Sequence, residues 1–112
     1  MDIEVICRVC HEANRALCEA QGDFSQTPWD DAPDWQKESS RAGVQWRLDH
    51  LDAPASAQHD QWMAEKLAAG WVRGALKDVR AKTHPLLIPF EELPPGQRAK
   101  DELFAHIVLA LR

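Results

Sequence analysis

The sequence predicts a mainly α-helical fold of about four helices with one short β-hairpin or irregular segment, in a single domain over residues 1–112. Three observations carry this. Apolar side chains recur at helical spacing in separate stretches, and glycine or proline punctuates the gaps between them. The stretch 71–93 lacks that period, holds two prolines and contains the apolar run Leu86-Leu87-Ile88-Pro89-Phe90. A chain of 112 residues supports one modest core.

The elements follow in order. Residues 3–21 read as an amphipathic helix, with Ile3, Ile6, Val9 or Cys10, Ala13, Leu17 and Ala20 on one face and Gly22 as its stop. Phe24 to Asp34 is a polar connection punctuated by proline. A second helix begins near Pro33, which suits a first turn, and runs toward Asp49. Trp35, Ser39, Ala42 and Trp46 share its expected buried face, and Gly43 interrupts its interior. Leu51 to Ala55 is a linker around Pro54. Ser56 is the expected N-cap of a third helix that continues to about Ala69 and closes at Gly70. Pro95 opens the last helix, from about Gly96 to Leu111, with Leu103, Ile107, Ala110 and Leu111 as its buried stripe. No internal repeat and no low-complexity segment stand out.

Composition narrows the function. A net charge of −5 argues against a generic nucleic-acid binder, which needs a basic footprint. Most of the acidity precedes residue 53, and the sign reverses locally around Arg73, Lys77, Arg80 and Lys82. A basic island on an acidic protein suits a small anion better than a polymer. Asp2 and Glu4 stand where a signal peptide would be basic, and no apolar run approaches a membrane span. Three cysteines fit free thiols in a reducing compartment, so the expected location is cytoplasmic.

The segment from His59 to Pro85 is the most informative. It gathers two tryptophans, two histidines and five basic side chains. His59, Trp62 and Lys66 lie at spacings that share one helix face. An indole there can stack on a base, and a lysine one turn on can meet a phosphate. The plain alternative is a core tryptophan with the lysine stem laid over its ring. Downstream, Gly70-Trp71, Arg73, Gly74, Lys77-Asp78, Arg80, Lys82 and His84 place cations beside residues that allow tight turns. Lys77 is the leading anion contact; Trp71 is expected to pack against the helices, and Arg80 and Lys82 to lie at the surface. On the first helix, His11 and Arg15 stand one turn apart with Asn14 between them. They suit a polar pocket, or a hydrogen-bond network in which Arg15 pairs with Asp30 or Asp31. Among the remaining tryptophans, Trp29 is the least expected to be purely structural.

These residues are familiar in combination. His11-Glu12-Ala13-Asn14-Arg15-Ala16, Trp29, Ala32-Pro33-x-Trp35-Gln36 and Gly43-Val44 come first. His59-x-x-Trp62-x-x-x-Lys66-x-x-x-Gly70-Trp71, Gly74-x-x-Lys77-Asp78 and His84-Pro85 follow. Pro89-Phe90-x-x-Leu93-Pro94, Gln97, Lys100-Asp101 and Leu103-Phe104 complete the set. In this the chain resembles the ryanodine-receptor repeat domain, in its stand-alone prokaryotic or phage form. In the giant calcium-release channels such repeats lie in tandem on the cytoplasmic shell, so the resemblance implies no channel activity. It implies a small helical module and an adenine-nucleotide site built between paired repeats, which a lone repeat would recreate as a homodimer. Carried over by position, Trp62 is the stacking residue, and Lys66 and Lys77 are the basic contacts. Arg73 departs from the family's Gly-Trp-x-Tyr-Gly pattern.

The expected function is therefore a binding or sensor module for a nucleotide or nucleotide-derived metabolite. The candidate contacts are His59, Trp62, Lys66, Trp71, Arg73, Lys77, His84, His11 and Arg15, with no cofactor, metal or membrane. A protein-interaction module is the alternative, since exposed tryptophans make interface hot spots. A small enzyme on a nucleotide derivative comes third. His59, His84, Asp78 and Glu12 would be its acid–base groups, but no nucleophile motif or P-loop supports it. Cys7-x-x-Cys10-His11 is formally a haem-attachment pattern. It lies inside a periodic helix without an export signal, and those ligands do not converge on zinc from one straight helix.

Overall fold

A computed structural model describes residues 1–112. Four helices account for most of the chain: α1 (Ile3–Ala20), α2 (Asp34–Asp49), α3 (Ala55–Ala68) and α4 (Pro95–Leu111). Two short strands, β1 (Val72–Arg73) and β2 (Thr83–His84), lie between α3 and α4. Asp2 caps α1 through its side chain, accepting from the Glu4 N–H at 3.0 Å. Gly22, at φ 86°, turns the chain out of α1. The Asp23 N–H then reaches back to the Cys18 carbonyl at 2.9 Å. Gly70, at φ 91°, ends α3 in the same way, with the Trp71 N–H on the Lys66 carbonyl at 2.9 Å.

The core gathers Ile6, Cys7, Cys10, Trp29, Val44 and Val108, flanked by Ile3, Leu48, Phe104, Ile107 and Leu111. The thiols of Cys7 and Cys10 are thus core atoms, and burial pushes Cys10 up to about 12. Trp29, the tryptophan least expected to be purely structural, belongs to this core too, buried edge-on to His11 at 5.5 Å.

Several expectations shift by one position. Cys10 rather than Val9 faces inward, and Ala20 is exposed. On α2 the fully buried positions are Gly43, Val44 and Arg47; Trp35, Ser39 and Trp46 flank them half-buried, and Ala42 is exposed. The α4 stripe centres on Ala105 and Val108, which leaves Ala110 in solvent. The third helix begins at Ala55, before Ser56, because the Pro54 carbonyl already accepts the Ala57 N–H at 3.0 Å. No side chain caps it. The strands pair in parallel, Val72 with Thr83 and Arg73 with His84, rather than as a hairpin. The intervening loop makes its own tight antiparallel bridge between Asp78 and Thr83, which turns Thr83 back alongside Val72. Gly74 permits this close approach, since a Cβ there would sit 2.7 Å from the Thr83 Cβ.

An internal repeat emerges that the sequence reading missed. Pro28-Trp29-Asp30-Asp31-Ala32-Pro33 and Pro89-Phe90-Glu91-Glu92-Leu93-Pro94 form matching 3₁₀ turns, each leading into a helix. Their backbones agree closely: Pro28 and Pro89 at ψ 152° and 148°, Ala32 and Leu93 at ψ 143° and 142°. In each half a histidine on the preceding helix donates from Nε2 to the carbonyl just before the turn. His11 reaches Thr27 at 2.7 Å and His59 reaches Ile88 at 2.7 Å. The helix packing is also unchanged by exchanging the halves, since α1 contacts α2 and α4 as α3 contacts α4 and α2.

Arg47 ties the halves together. It is fully buried without a carboxylate partner. Its guanidinium donates to Gln58 Oε1 at 2.9 Å and to the carbonyls of His50, Ala53 and Pro54. Gln58 in turn donates to the Gly43 carbonyl at 3.3 Å. This network forms the α2–α3 turn. Arg47→Met is expected to destabilise the protein by roughly 2 kcal/mol or more, because Gln58 and three carbonyls lose a buried donor. Arg47→Lys should recover only a minor part. Urea denaturation checks both; a midpoint unchanged in Arg47→Met would remove the network from this role.

Candidate ligand-binding cleft

The repeated units meet at a cleft. Two adjoining cavities, of about 240 and 320 Å3, share Asn14, Gln36, Trp62, Lys100 and Asp101 as walls. A smaller one of about 110 Å3 opens beside them, lined by Trp35, Trp62, Lys66, Trp71, Lys77 and His84 among others. Trp62 borders all three. The two larger volumes together reach the range of small-molecule sites, about 300–1,000 Å3.

Positions equivalent in the two halves line this cleft with different chemistry. Three residues beyond the histidine, α1 supplies Asn14 and α3 supplies Trp62; seven beyond, Cys18 and Lys66. After the second proline of each turn, Gln36 matches Gln97, Ser39 matches Lys100 and Ser40 matches Asp101. One half is therefore neutral and small, the other aromatic and charged.

Lys66 defines the charged side. It is buried, and its Nζ lies over the rings of Trp35 at 4.9 Å and Trp71 at 5.4 Å. Its nearest carboxylate is Glu65, at 4.0 Å. The Lys77 Nζ shares the Trp35 ring at 5.8 Å. Burial holds the Lys66 ammonium below its ordinary value, Glu65 partly offsets this, and the like charge of Lys77 adds to it. His84 stands edge-on to Trp62 at 5.0 Å. Its Nδ1 accepts the Leu86 N–H at 3.1 Å, so the neutral ring carries its proton on Nε2. Burial, then Lys77, Lys66 and His59, push it down to about 4. His59 stacks on Trp62 at 5.5 Å, and its Nδ1 lies 3.9 Å from the Asp101 carboxyl. Burial raises Asp101 to about 6, against the opposing pull of His59.

The structure thus brings together His59, Trp62, Lys66, Trp71, Lys77 and His84. Arg73 lies apart, exposed on β1 and on no wall of these cavities. His11 reaches the cleft only from behind, with its Nε2–H committed to Thr27. Arg15 pairs with Glu12 at 2.8 Å and Glu19 at 3.6 Å, not with Asp30 or Asp31. The turns of its own helix on either side offer these carboxylates, and Asp30 is taken by Arg8 at 2.8 Å. Lys82 is not simply a surface cation: at φ 55° it donates to the Ala69 carbonyl at 2.8 Å and closes α3. Sequence reasoning missed Gln36, Gln97, Lys100 and Asp101 as cleft walls. The signal was their register after matching prolines, visible once the repeat is recognised.

The fold and cleft define a small helical domain with an aromatic, lysine-bearing pocket, and no helix is long and apolar enough to cross a membrane. A profile of the RyR domain matches residues 34–110, well over half of the chain. The protein belongs to the RyR domain family. The match begins at α2, so α1, which closes one wall of the cleft, lies before the matched residues.

Asp101 sets a pH dependence. Its folded-state value lies above the ordinary 3.8, so the folded chain favours the neutral acid. That contribution is complete below pH 3.8 and lost as pH rises through about 6. Asp101→Asn is therefore expected to raise stability at pH 7.5, on the order of 2 kcal/mol, with the gain vanishing toward pH 4. Melting temperatures across that range check it; equal curves would mean that the carboxyl titrates as an exposed one. His84 works in the opposite sense. Its lowered value favours the neutral ring, and that contribution is lost as pH falls from 6.5 through about 4.

Proposed function

We propose that the cleft binds a nucleotide or nucleotide-derived metabolite and that the protein acts as a sensor or binding module. The observation that carries this is the pair of ammonium groups, Lys66 and Lys77, over one indole, with Glu65 at 4.0 Å as the nearest carboxylate to Lys66. Such an arrangement favours an incoming anion, and Trp62 at the junction of the cavities supplies an aromatic surface. Lys77 and Lys100 meet phosphate oxygens, with Lys66 behind them through the smallest cavity. The neutral His84 donates a hydrogen bond from Nε2, and His59 holds Trp62 in place. Arg73 and Arg15 take no part within one copy of the chain.

A melting panel of AMP, ADP, ATP, ADP-ribose and NAD tests the reading. A ligand at 100 times its dissociation constant stabilises by about 2.7 kcal/mol. Lys77→Glu, at an exposed position, is expected to weaken binding at least about tenfold, equivalent to about 1.4 kcal/mol, while the unliganded protein melts no lower than the wild type, because a like charge beside Lys66 is removed. Silence of the wild type across the panel would end the nucleotide reading. Leu67, Val72, Leu76 and Val79 are exposed apolar side chains at the end of α3 and along the β1–β2 loop, which supports a second copy of the chain as the partner there. Sedimentation of the wild type against Leu76→Asp is expected to show a dimer only in the former; a monomer in both would discard it.

A further inference from the structure

Resting on the nucleotide reading, we infer that the cavity of about 240 Å3 is a separate subsite for an uncharged heteroaromatic ring such as a nucleobase, kept open by Gly43.

Gly43 sits in the interior of α2, where glycine is a poor helix former compared with alanine. No backbone constraint calls for it, because its φ lies outside the left-handed region. No steric constraint does either. An added Cβ would meet Phe104 Cζ at 3.5 Å, Gln58 Nε2 at 3.6 Å and Gln61 Oε1 at 3.9 Å, all ordinary contacts. Those three residues are themselves walls of the cavity. The missing methyl therefore leaves space in the cavity that the fold has no need of.

The chemistry of the walls suits a flat polar ring. Phe104 and Trp62 offer aromatic surface, and Asn14, Gln36 and Gln61 offer amide donors and acceptors that can read a ring edge. The Asn14 amide makes no side-chain hydrogen bond within the protein. Lys100 and Asp101 stand with Asn14, Gln36 and Trp62 on the wall shared with the larger cavity, which also holds Lys77 and His84, while Gly43, Gln61 and Phe104 line the smaller of the two and not the larger. A ring seated against Gly43, Gln61 and Phe104 leaves the larger cavity, with its cations, for an attached anion.

Binding of adenosine and of pyrophosphate, measured separately by calorimetry on the wild type, Gly43→Ala and Gln61→Leu, tests the subsite, because Gly43 and Gln61 line this cavity and not the larger one. Circular dichroism and melting confirm the fold of each variant, and Gln61→Leu carries the test if Gly43→Ala does not fold. Adenosine affinity is expected to fall about tenfold or more in both variants, as one misplaced methyl or one lost polar partner does in a fitted pocket. Pyrophosphate affinity should stay within about twofold. Adenosine bound equally by wild type and the folded variants overturns the subsite. Pyrophosphate binding without adenosine binding in the wild type also overturns it and leaves the anion site standing. Binding of neither overturns both.

Discussion

The buried guanidinium of Arg47 is the constraint on which the rest of the structure depends. An ionised group without a carboxylate is tolerated in a protein interior only when its donors are used. Arg47 meets that condition with one side-chain amide and three carbonyls, all in or beside the α2–α3 turn. Burial lowers its pKa, yet a guanidinium stays protonated in proteins. The turn must therefore present those carbonyls in one arrangement. That fixes where α3 leaves the turn, and α3 carries His59, Trp62 and Lys66. The apolar core of six buried residues is modest, so a polar network at its edge has a large share in choosing one helix arrangement.

Two histidines repeat this logic at smaller scale. His11 and His59 each donate to the carbonyl ahead of a Pro-aromatic-acid-acid-aliphatic-Pro turn. Each pins a turn that launches a helix, α2 in one case and α4 in the other. The pins stand at equivalent positions on α1 and α3, and the residues one and two turns beyond them line the cleft. A repeated scaffold fixes positions, and the side chains at those positions are free to diverge. Asn14 against Trp62 and Cys18 against Lys66 are that divergence. Substitution on a shared scaffold accounts for part of the asymmetry of the cleft, and the β1–β2 segment, present in one half alone, adds Trp71, Lys77 and His84.

The helices were legible in the sequence because their signals are local: apolar side chains at helical spacing, glycines after the last turn, prolines at the first. Their burial was less legible. Cys10 was open between two neighbours, and Arg47 was invisible, since hydrophobic periodicity cannot anticipate a buried cation. The clustering of His59, Trp62, Lys66, Lys77 and His84 was readable from proximity in sequence. The contributions of Gln36, Gln97, Lys100 and Asp101 were not, because they come from α2 and α4. The repeat that would have pointed to them was hidden by unequal spacing. The β1–β2 segment lies between His59 and its turn, and nothing corresponds to it between His11 and Pro28.

The charged half of the cleft is held in an electrostatically unfinished state. Lys66 has lost most of its hydration and receives in return two indole faces and a distant glutamate. Each cation–π contact is worth roughly 0.5–2 kcal/mol, whereas removing an ammonium from water costs several kcal/mol. Lys77, over the same ring, makes the balance worse rather than better. A structural lysine would be expected to end on a carboxylate. Glu65 approaches Lys66 only to 4.0 Å, and Asp101, half-buried on the cleft wall, stands beside His59 with its pKa raised by burial. Two cations share one indole with a single glutamate at 4.0 Å from Lys66, which leaves a local excess of positive charge inside an acidic protein. On the proposed reading, an anion entering the cleft is what offsets that excess.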